Sequence, residues 1–202
     1  MQHLKRQAET TLPTRFGTFT MVGYATQPDQ PMPHLALVGD RADFSKPVPV
    51  RVHSECMTGD VFSSLRCDCG EQLEESLRLV AQHGGVVVYL RQEGRGIGLL
   101  NKMRAYNLQD EGMNTAEANL HLGYEVDERD YGLAVDILKD LGISTILLMT
   151  NNPEKIKSLS ESGIVVEGRL PLEVKPHREN YAYLHTKQEL MGHLLNLNGT
   201  DK

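Results

Sequence analysis

Short apolar runs alternate with amphipathic segments through the second half of this 202-residue chain. The runs at 85–90 (GVVVYL) and 145–149 (TILLM) predict buried strands, and each is followed by a polar loop and a stretch with helical spacing. Helices are predicted over 70–83, 101–109, 131–141, 154–162 and 178–196. Strands that alternate with helices predict an α/β fold, in which ligands bind beyond the carboxyl ends of strands.

The N-terminal part is predicted to be rich in β-structure. Strand patterns cover 16–24, 34–40 and 47–55, and three prolines make 26–34 a loop. A chain of this length fits one domain. We therefore expect a single α/β domain over 1–196, with a mixed sheet and flanking helices, and a disordered tail at 197–202.

The net charge argues against nucleic acid as a partner, and the short apolar runs argue against a membrane. The formal net charge is -6 and the pI is about 5.7, so nucleic acid is not expected, although local arginines could hold a small anion. The N-terminus has no apolar core of a signal peptide, and the longest apolar runs are too short to cross a bilayer. These features predict a cytoplasmic protein with no membrane partner.

All three cysteines lie within 14 residues, as Cys56, Cys67 and Cys69. Three thiolates around one zinc ion leave its fourth position open for chemistry. Their charges sum to -1 with the metal, so the site needs support from a neighbour, for which Glu55, Arg66 and Asp68 are candidates. Two alternatives stay open. One is a closed structural site that borrows His53 or Asp68; the other is that Cys56 is a small core residue and that Cys67 and Cys69 are incidental.

Three further segments could carry chemistry. The loop RQEGRGIGLLNK (91–102) combines arginines with glycines that let a backbone approach an anion; TNNPEK (150–155) follows a strand, and YEVDERDYG (124–132) is densely charged. Each also has a plain structural interpretation. Residues 91–102 could be only a glycine-rich turn, 150–155 only a helix N-cap, and 124–132 only a solvated helix start with Asp at the N-cap. Tyr106, on the helix after the glycine loop, is by spacing alone a core residue.

Together, RVHSEC, SLRCDCG, RQEGRGIGLLNK, the DER stretch and TNNP resemble GTP cyclohydrolase II of riboflavin biosynthesis, from about Leu4 to Leu195. The resemblance implies one zinc ion per subunit on Cys56, Cys67 and Cys69, Mg²⁺ with the triphosphate, and a homodimer. It implies catalytic roles for Asp127, Arg129 and Tyr106. The GTP contacts that it implies are Arg51, Val52, His53, Ser54, Glu55, Gln72, Glu93, Gly94, Arg95, Thr115, Thr150 and Lys155.

The implied reaction is zinc-dependent hydrolysis of GTP to 2,5-diamino-6-(5-phosphoribosylamino)pyrimidin-4(3H)-one, formate and pyrophosphate. The zinc site suits imidazole opening and formyl removal, with Tyr106 orienting the ring, and Arg129 with Asp127 suits the cut between the α- and β-phosphates. Arg129 is either a nucleophile that Asp127 deprotonates or a source of charge stabilisation. Two rivals remain: a zinc nucleobase deaminase, whose H-x-E element His53–Glu55 mimics, and a silent GTP-binding regulator.

Overall fold

The structure, a computed structural model, describes residues 4–195. Its strands are β1 (Lys5–Thr14), β2 (Gly17–Ala25), β3 (His34–Gly39), β4 (Val48–Ser54), β5 (Val86–Leu90), β6 (Thr145–Met149) and β7 (Val165–Leu170). Its helices are α1 (Met57–Asp60), α2 (Cys69–His83), α3 (Leu99–Asp110), α4 (Thr115–His121), α5 (Gly132–Asp140), α6 (Pro153–Glu161) and α7 (Tyr181–Met191). The predicted helices and strands are confirmed, whereas β1, β7, α1 and α4 were not predicted. The last helix is shorter than expected, and residues 196–202 lie outside the described residues.

One mixed sheet contains all seven of these strands, in the order β1-β2-β3-β5-β4-β6-β7. The pairs β1–β2, β2–β3 and β3–β5 are antiparallel, while β4–β6 and β6–β7 are parallel. The expected α/β class with a mixed sheet and a β-rich N-terminal segment is therefore confirmed. Because β4 and β6 are parallel neighbours, their carboxyl ends reach the same edge of the sheet.

The chain groups into two compact units, each made of three separate stretches. The first unit contains the chain up to His53, Leu73–Arg91 and Tyr131–Leu172, and holds nearly the whole sheet. The second contains Ser54–Gln72, Gln92–Asp130 and the chain from Glu173 onward. The stretches alternate along the sequence, so neither unit is a contiguous segment.

The core of the first unit covers both faces of the sheet. Val86 and Val88 of β5 belong to one apolar cluster, together with buried side chains of α5 and α6. Val87 belongs to a second cluster, against which Leu73 and Leu77 of α2 pack. Successive strand residues point to opposite faces, so the run GVVVYL is apolar throughout because helices cover both sides.

The turn before α6 explains why TNNP is followed by a helix. The Asn152 side chain accepts a hydrogen bond from the Glu154 amide at 2.9 Å, and Pro153 stands in the first helical turn. This confirms the predicted N-cap. Among residues 4–195, none of the helices combines the length and the apolar character needed to cross a bilayer.

Candidate active site

The three cysteines meet in the second unit. Cys56 immediately precedes α1, Cys69 is the first residue of α2, and Cys67 lies in the intervening loop. Their sulfur atoms all lie within 4.8 Å of one another, with Cys56 Sγ and Cys67 Sγ 3.6 Å apart. Within residues 4–195, they are the one group of three His, Cys, Asp or Glu side chains placed to hold a metal ion.

The cluster is electrostatically asymmetric. Hydrogen bonds with Cys67 and Cys69, and the nearby charge of Lys102, lower the pKa of the Cys56 thiol. Contact with Cys56 raises the pKa of Cys67 to about 11, and contact with both partners raises the pKa of Cys69 well above its usual value. The three thiols thus influence one another's ionisation, and Lys102 favours the thiolate form of Cys56.

Two glycines let the two cysteine-bearing segments approach each other. A Cβ atom on Gly59 would lie 3.2 Å from Cys67 Sγ and 3.3 Å from Cys56 Sγ. A Cβ on Gly70 would lie 2.3 Å from the Gly59 carbonyl oxygen, closer than any real side chain could come. A side chain at Gly70 would therefore collide with the backbone, and one at Gly59 would press on two of the sulfur atoms.

The neighbours expected to support the cluster have other partners. Arg66 pairs with Asp110 at 2.8 Å, and its guanidinium lies over the Tyr106 ring. Asp68 accepts hydrogen bonds from Lys187 of α7 and from Gln72, each at 2.6 Å. The positive charge that does reach the cluster is Lys102, whose Nζ lies 3.1 Å from Cys56 Sγ.

Tyr106 of α3 also faces the cluster. Its hydroxyl lies 3.4 Å from Thr58 Oγ1, which is itself 3.5 Å from Cys56 Sγ. Burial raises the pKa of Tyr106, although Thr58 and the charge of Lys102 act in the opposite direction. The hydroxyl therefore keeps its proton at neutral pH and can donate a hydrogen bond beside the sulfur atoms.

The Arg–Gly loop (residues 93–98) is held in an unusual backbone conformation. Arg95 has a φ of 61°, which is uncommon for a residue with a side chain, and it follows Gly94 at 62°. A Cβ on Gly96 would lie 3.0 Å from the backbone of Glu128, whose amide donates to the Arg95 carbonyl at 3.0 Å. The loop is therefore packed against the charged DER stretch, as no sequence pattern had indicated.

Asp127 and Arg129 form a two-bond ion pair in that stretch. Arg129 Nε lies 2.7 Å from Asp127 Oδ1, and its Nη2 bonds Oδ2. Burial alone would raise the pKa of Asp127, but the hydrogen bonds and charge of Arg129 bring it below its usual value. The predicted helix start with Asp at the N-cap was wrong, because Tyr131 stands at the N-cap of α5.

A basic group lies at the carboxyl ends of β4 and β6 in the first unit. Arg51 Nη1 donates to the Met149 carbonyl at 3.1 Å, and Lys155 Nζ donates to the Val52 carbonyl at 2.8 Å. Arg169 of β7 adds a third cation, 3.3 Å from the Thr150 carbonyl. Arg51, Thr150 and Lys155 are buried.

The remaining predicted residues occupy several local settings. His53 is buried and its ring stacks on Tyr89 in the first unit. Glu55 is buried, and the Ser54 hydroxyl is buried with no hydrogen-bond partner within the described part of the chain. Thr115 opens α4, which packs on α3 in the second unit.

Comparison with known proteins decides the family. A model of the GTP cyclohydrolase II family matches residues 5–171, which is most of the chain. The chain belongs to the GTP cyclohydrolase II family. The riboflavin biosynthesis protein RibBA of Bacillus mycoides is 54% identical over 193 residues, covering 95% of this chain and 48% of the relative. RibBA of Chlorobium phaeovibrioides is 50% identical over 193 residues, covering 95% of this chain and 47% of that relative.

The chain thus spans about half the length of the curated relatives it matches. A crystal structure of RibBX, described as a two domain 3,4-dihydroxy-2-butanone 4-phosphate synthase from A. baumannii, has a TM-score of 0.49 and 22% identity, covering 86% of this chain and 41% of that one.

Sequence reasoning missed several residues that contact the cysteine cluster, the loops that carry it or the basic group. Lys102 ends the motif RQEGRGIGLLNK but was given no role. Gly70 ends the motif SLRCDCG, and Gly59 lies between that motif and RVHSEC; neither glycine was considered. Arg169 lies on the unpredicted β7, and Lys187 lies beyond the residues that the family model matches. Lys102 lies 46 positions from Cys56 in the sequence, so no local pattern indicates their contact, and only the folded chain reveals it.

Proposed function

We propose that this chain hydrolyses GTP to 2,5-diamino-6-(5-phosphoribosylamino)pyrimidin-4(3H)-one, formate and pyrophosphate, which opens riboflavin biosynthesis. The observation that carries the proposal is the compact group of Cys56, Cys67 and Cys69, with sulfur atoms within 4.8 Å of one another, in a member of this family. The family resemblance alone supports a homodimer, a cytoplasmic location and Mg²⁺ with the triphosphate.

The sulfur geometry fits zinc. Tetrahedral zinc with Zn–S bonds of about 2.3 Å places its sulfur ligands about 3.8 Å apart. Cys56 Sγ and Cys67 Sγ are 3.6 Å apart, so this pair already has the spacing of two zinc ligands. When bound, zinc supplies a Lewis acid that polarises and acidifies water at the position the three thiolates leave open.

Tyr106 suits the ring-opening half of the reaction. Attack at C8 of guanine shifts charge to the imidazole nitrogens, which then need a hydrogen-bond donor. The Tyr106 hydroxyl stays protonated and reaches the cysteine cluster through Thr58 at 3.4 Å. We therefore assign Tyr106 to orienting the imidazole ring and donating to it.

The basic group at the ends of β4 and β6 suits phosphate binding. Arg51 and Lys155 are buried cations anchored on backbone carbonyls, and Arg169 joins them. Guanidinium and ammonium groups bind phosphate oxygens most strongly where water is excluded. We assign these three side chains to the triphosphate.

Arg129 is better suited to stabilising charge than to attacking phosphorus. Proton transfer from a guanidinium to a carboxylate spans about 9 pKa units and costs roughly 12 kcal/mol. The two-bond pair with Asp127 favours the charged forms of both groups. We therefore propose that Asp127 holds the Arg129 guanidinium against the phosphoryl transition state.

The test is incubation of the protein with GTP, Zn²⁺ and Mg²⁺, with formate, pyrophosphate and ammonia each quantified. Formate and pyrophosphate in equal amounts are expected. Ammonia in place of formate would support the deaminase, and GTP binding without products would support the regulator; either result overturns the proposal.

The same assay tests Arg129. Arg129→Ala is expected to lower pyrophosphate release by about 10³-fold or more, because phosphoryl-transfer arginines contribute on that scale. Arg129→Lys should retain part of the rate, since a charge-stabilising role tolerates another cation better than a nucleophilic role does. Near-normal pyrophosphate release by Arg129→Ala would remove Arg129 from the mechanism.

A further inference from the structure

Lys102 of α3 is a buried cation whose three N–H donors all have partners within the second unit. Its side chain is 10% exposed. The Nζ atom lies 3.1 Å from Cys56 Sγ, 2.9 Å from Thr58 Oγ1 and 2.8 Å from Glu93 Oε1. An ammonium group has three donors, so these contacts fix its position completely.

The charge of the cysteine cluster explains why a cation belongs there. Three thiolates around a divalent metal carry a net charge of -1, and buried charge is costly unless it is paired. Cys56 Sγ is the sulfur that accepts a hydrogen bond from Lys102, at 3.1 Å. The ammonium thus lies directly against one of the three sulfur atoms that would hold the metal.

Glu93 extends this contact into the Arg–Gly loop. Glu93 Oε1 accepts from Lys102 and from the Gly94 amide at 2.8 Å, while Oε2 accepts from the Met57 amide at 2.6 Å. Met57 directly follows Cys56. Lys102 and Glu93 therefore join a metal-binding cysteine, the start of α1 and the loop that packs on the DER stretch.

We propose that Lys102 is a positioning residue of the metal centre, which offsets the negative charge of the three-thiolate set by donating to Cys56 Sγ and, through Glu93, fixes the Arg–Gly loop beside it. The three-thiolate metal set is part of the proposed function, on which this inference rests. Lys102 has no need to touch GTP. Its effect passes through the cysteine sulfur and through Glu93.

Cobalt substitution provides a readout that is independent of turnover. Thiolate-to-Co²⁺ charge-transfer bands report the energy of the sulfur lone pairs, which a hydrogen bond from a cation lowers. In Lys102→Met, which keeps the side-chain length but loses the charge, the band is expected at longer wavelength. Co²⁺ affinity should fall about 10–100-fold, as for other groups that support metal ligands.

Two variants serve as comparisons. Arg104→Met removes a cation from the exposed side of the same helix, and its band should match that of the wild type. Lys102→Arg keeps the charge and should shift the band less than Lys102→Met does. If Lys102→Met does not fold, Lys102→Met/Glu93→Gln removes both buried charges together and should show the same shift.

An unshifted band in folded, cobalt-loaded Lys102→Met, or in the double variant, overturns the proposal. Failure of this inference can be distinguished from failure of the proposed function. Wild-type protein that binds Co²⁺ but yields no formate from GTP contradicts the proposed activity and leaves the band shift as the test of Lys102.

Discussion

At the scale of single residues, the cysteine cluster depends on two positions that have no side chain. Gly59 and Gly70 lie on the two segments that carry the sulfur atoms, and a Cβ on Gly70 would lie 2.3 Å from the Gly59 carbonyl oxygen. Neither glycine has a positive φ, so the requirement is for space and not for backbone freedom.

Gly70→Ala is therefore expected to push the two segments apart and weaken the metal centre. Zinc content after dialysis should fall, and formate release should drop about 100-fold, because a displacement near 1 Å has effects of that size. Gly23→Ala is the matched control, since its Cβ would meet nothing closer than 3.9 Å. Normal zinc content in Gly70→Ala would contradict the close packing.

Residue identity predicted part of this site and could not predict the rest. The cysteines were identifiable because three thiols crowded into one short segment of a disulfide-poor chain are typical of metal ligands. Lys102 and Gly70 were not, because a long-range contact and a lack of space exist only in the folded chain. Asp127 and Arg129 were named from the resemblance, and the structure adds that they are paired.

At the scale of elements, the missed ones have weak sequence patterns. β1 is largely exposed on both faces at the edge of the sheet, so its sequence shows no apolar alternation. β7 is the other edge strand and is interrupted by Gly168. α4 is only seven residues long, but it has a capping box between Asn114 and Glu117, a local signal that was available.

Helix α7 is anchored in the second unit by a buried ion pair. Lys187 Nζ lies 2.6 Å from Asp68 Oδ1, and the same carboxylate accepts from Gln72. Asp68 stands between Cys67 and Cys69, so the pair connects the C-terminal helix with the loop that carries two of the three sulfur atoms. The element lies beyond the residues matched by the family model.

Lys187→Met should destabilise the protein by about 3–5 kcal/mol, because it leaves a buried carboxylate without its cation. Lys187→Met/Asp68→Asn removes both charges and should recover much of that loss. Urea unfolding of the single and double variants measures the difference. If both are equally unstable, the helix is held by packing and not by the ion pair.

At the scale of the whole molecule, the sequence predicted the α/β class and the strand ends but not the division into two units. Strand and helix patterns are local, so they placed RVHSE (51–55) at the end of a strand and Thr150 directly after another. In the structure Arg51 is the middle residue of β4, and Thr150 directly follows β6. The second unit is assembled from stretches of chain that lie far apart in sequence. Contacts between distant residues decide which stretches belong to this unit, and local sequence periodicity contains no information about such contacts.

The two hydrolyses assigned to this chain use different residues. In the proposed mechanism, formate release depends on the cysteine cluster and Tyr106, whereas the phosphate cut depends on Asp127 and Arg129. Asp127 and Arg129 are bound to each other through the amide and the guanidinium of Arg129. The central claim is therefore that metal loss stops ring opening while phosphate cleavage continues.

Cys56→Ser tests that claim most directly, with zinc content, formate and pyrophosphate measured on the same preparation. We predict a loss of zinc and of formate release, while pyrophosphate is still formed from GTP. Formate release at the wild-type rate by the zinc-free variant would contradict the account.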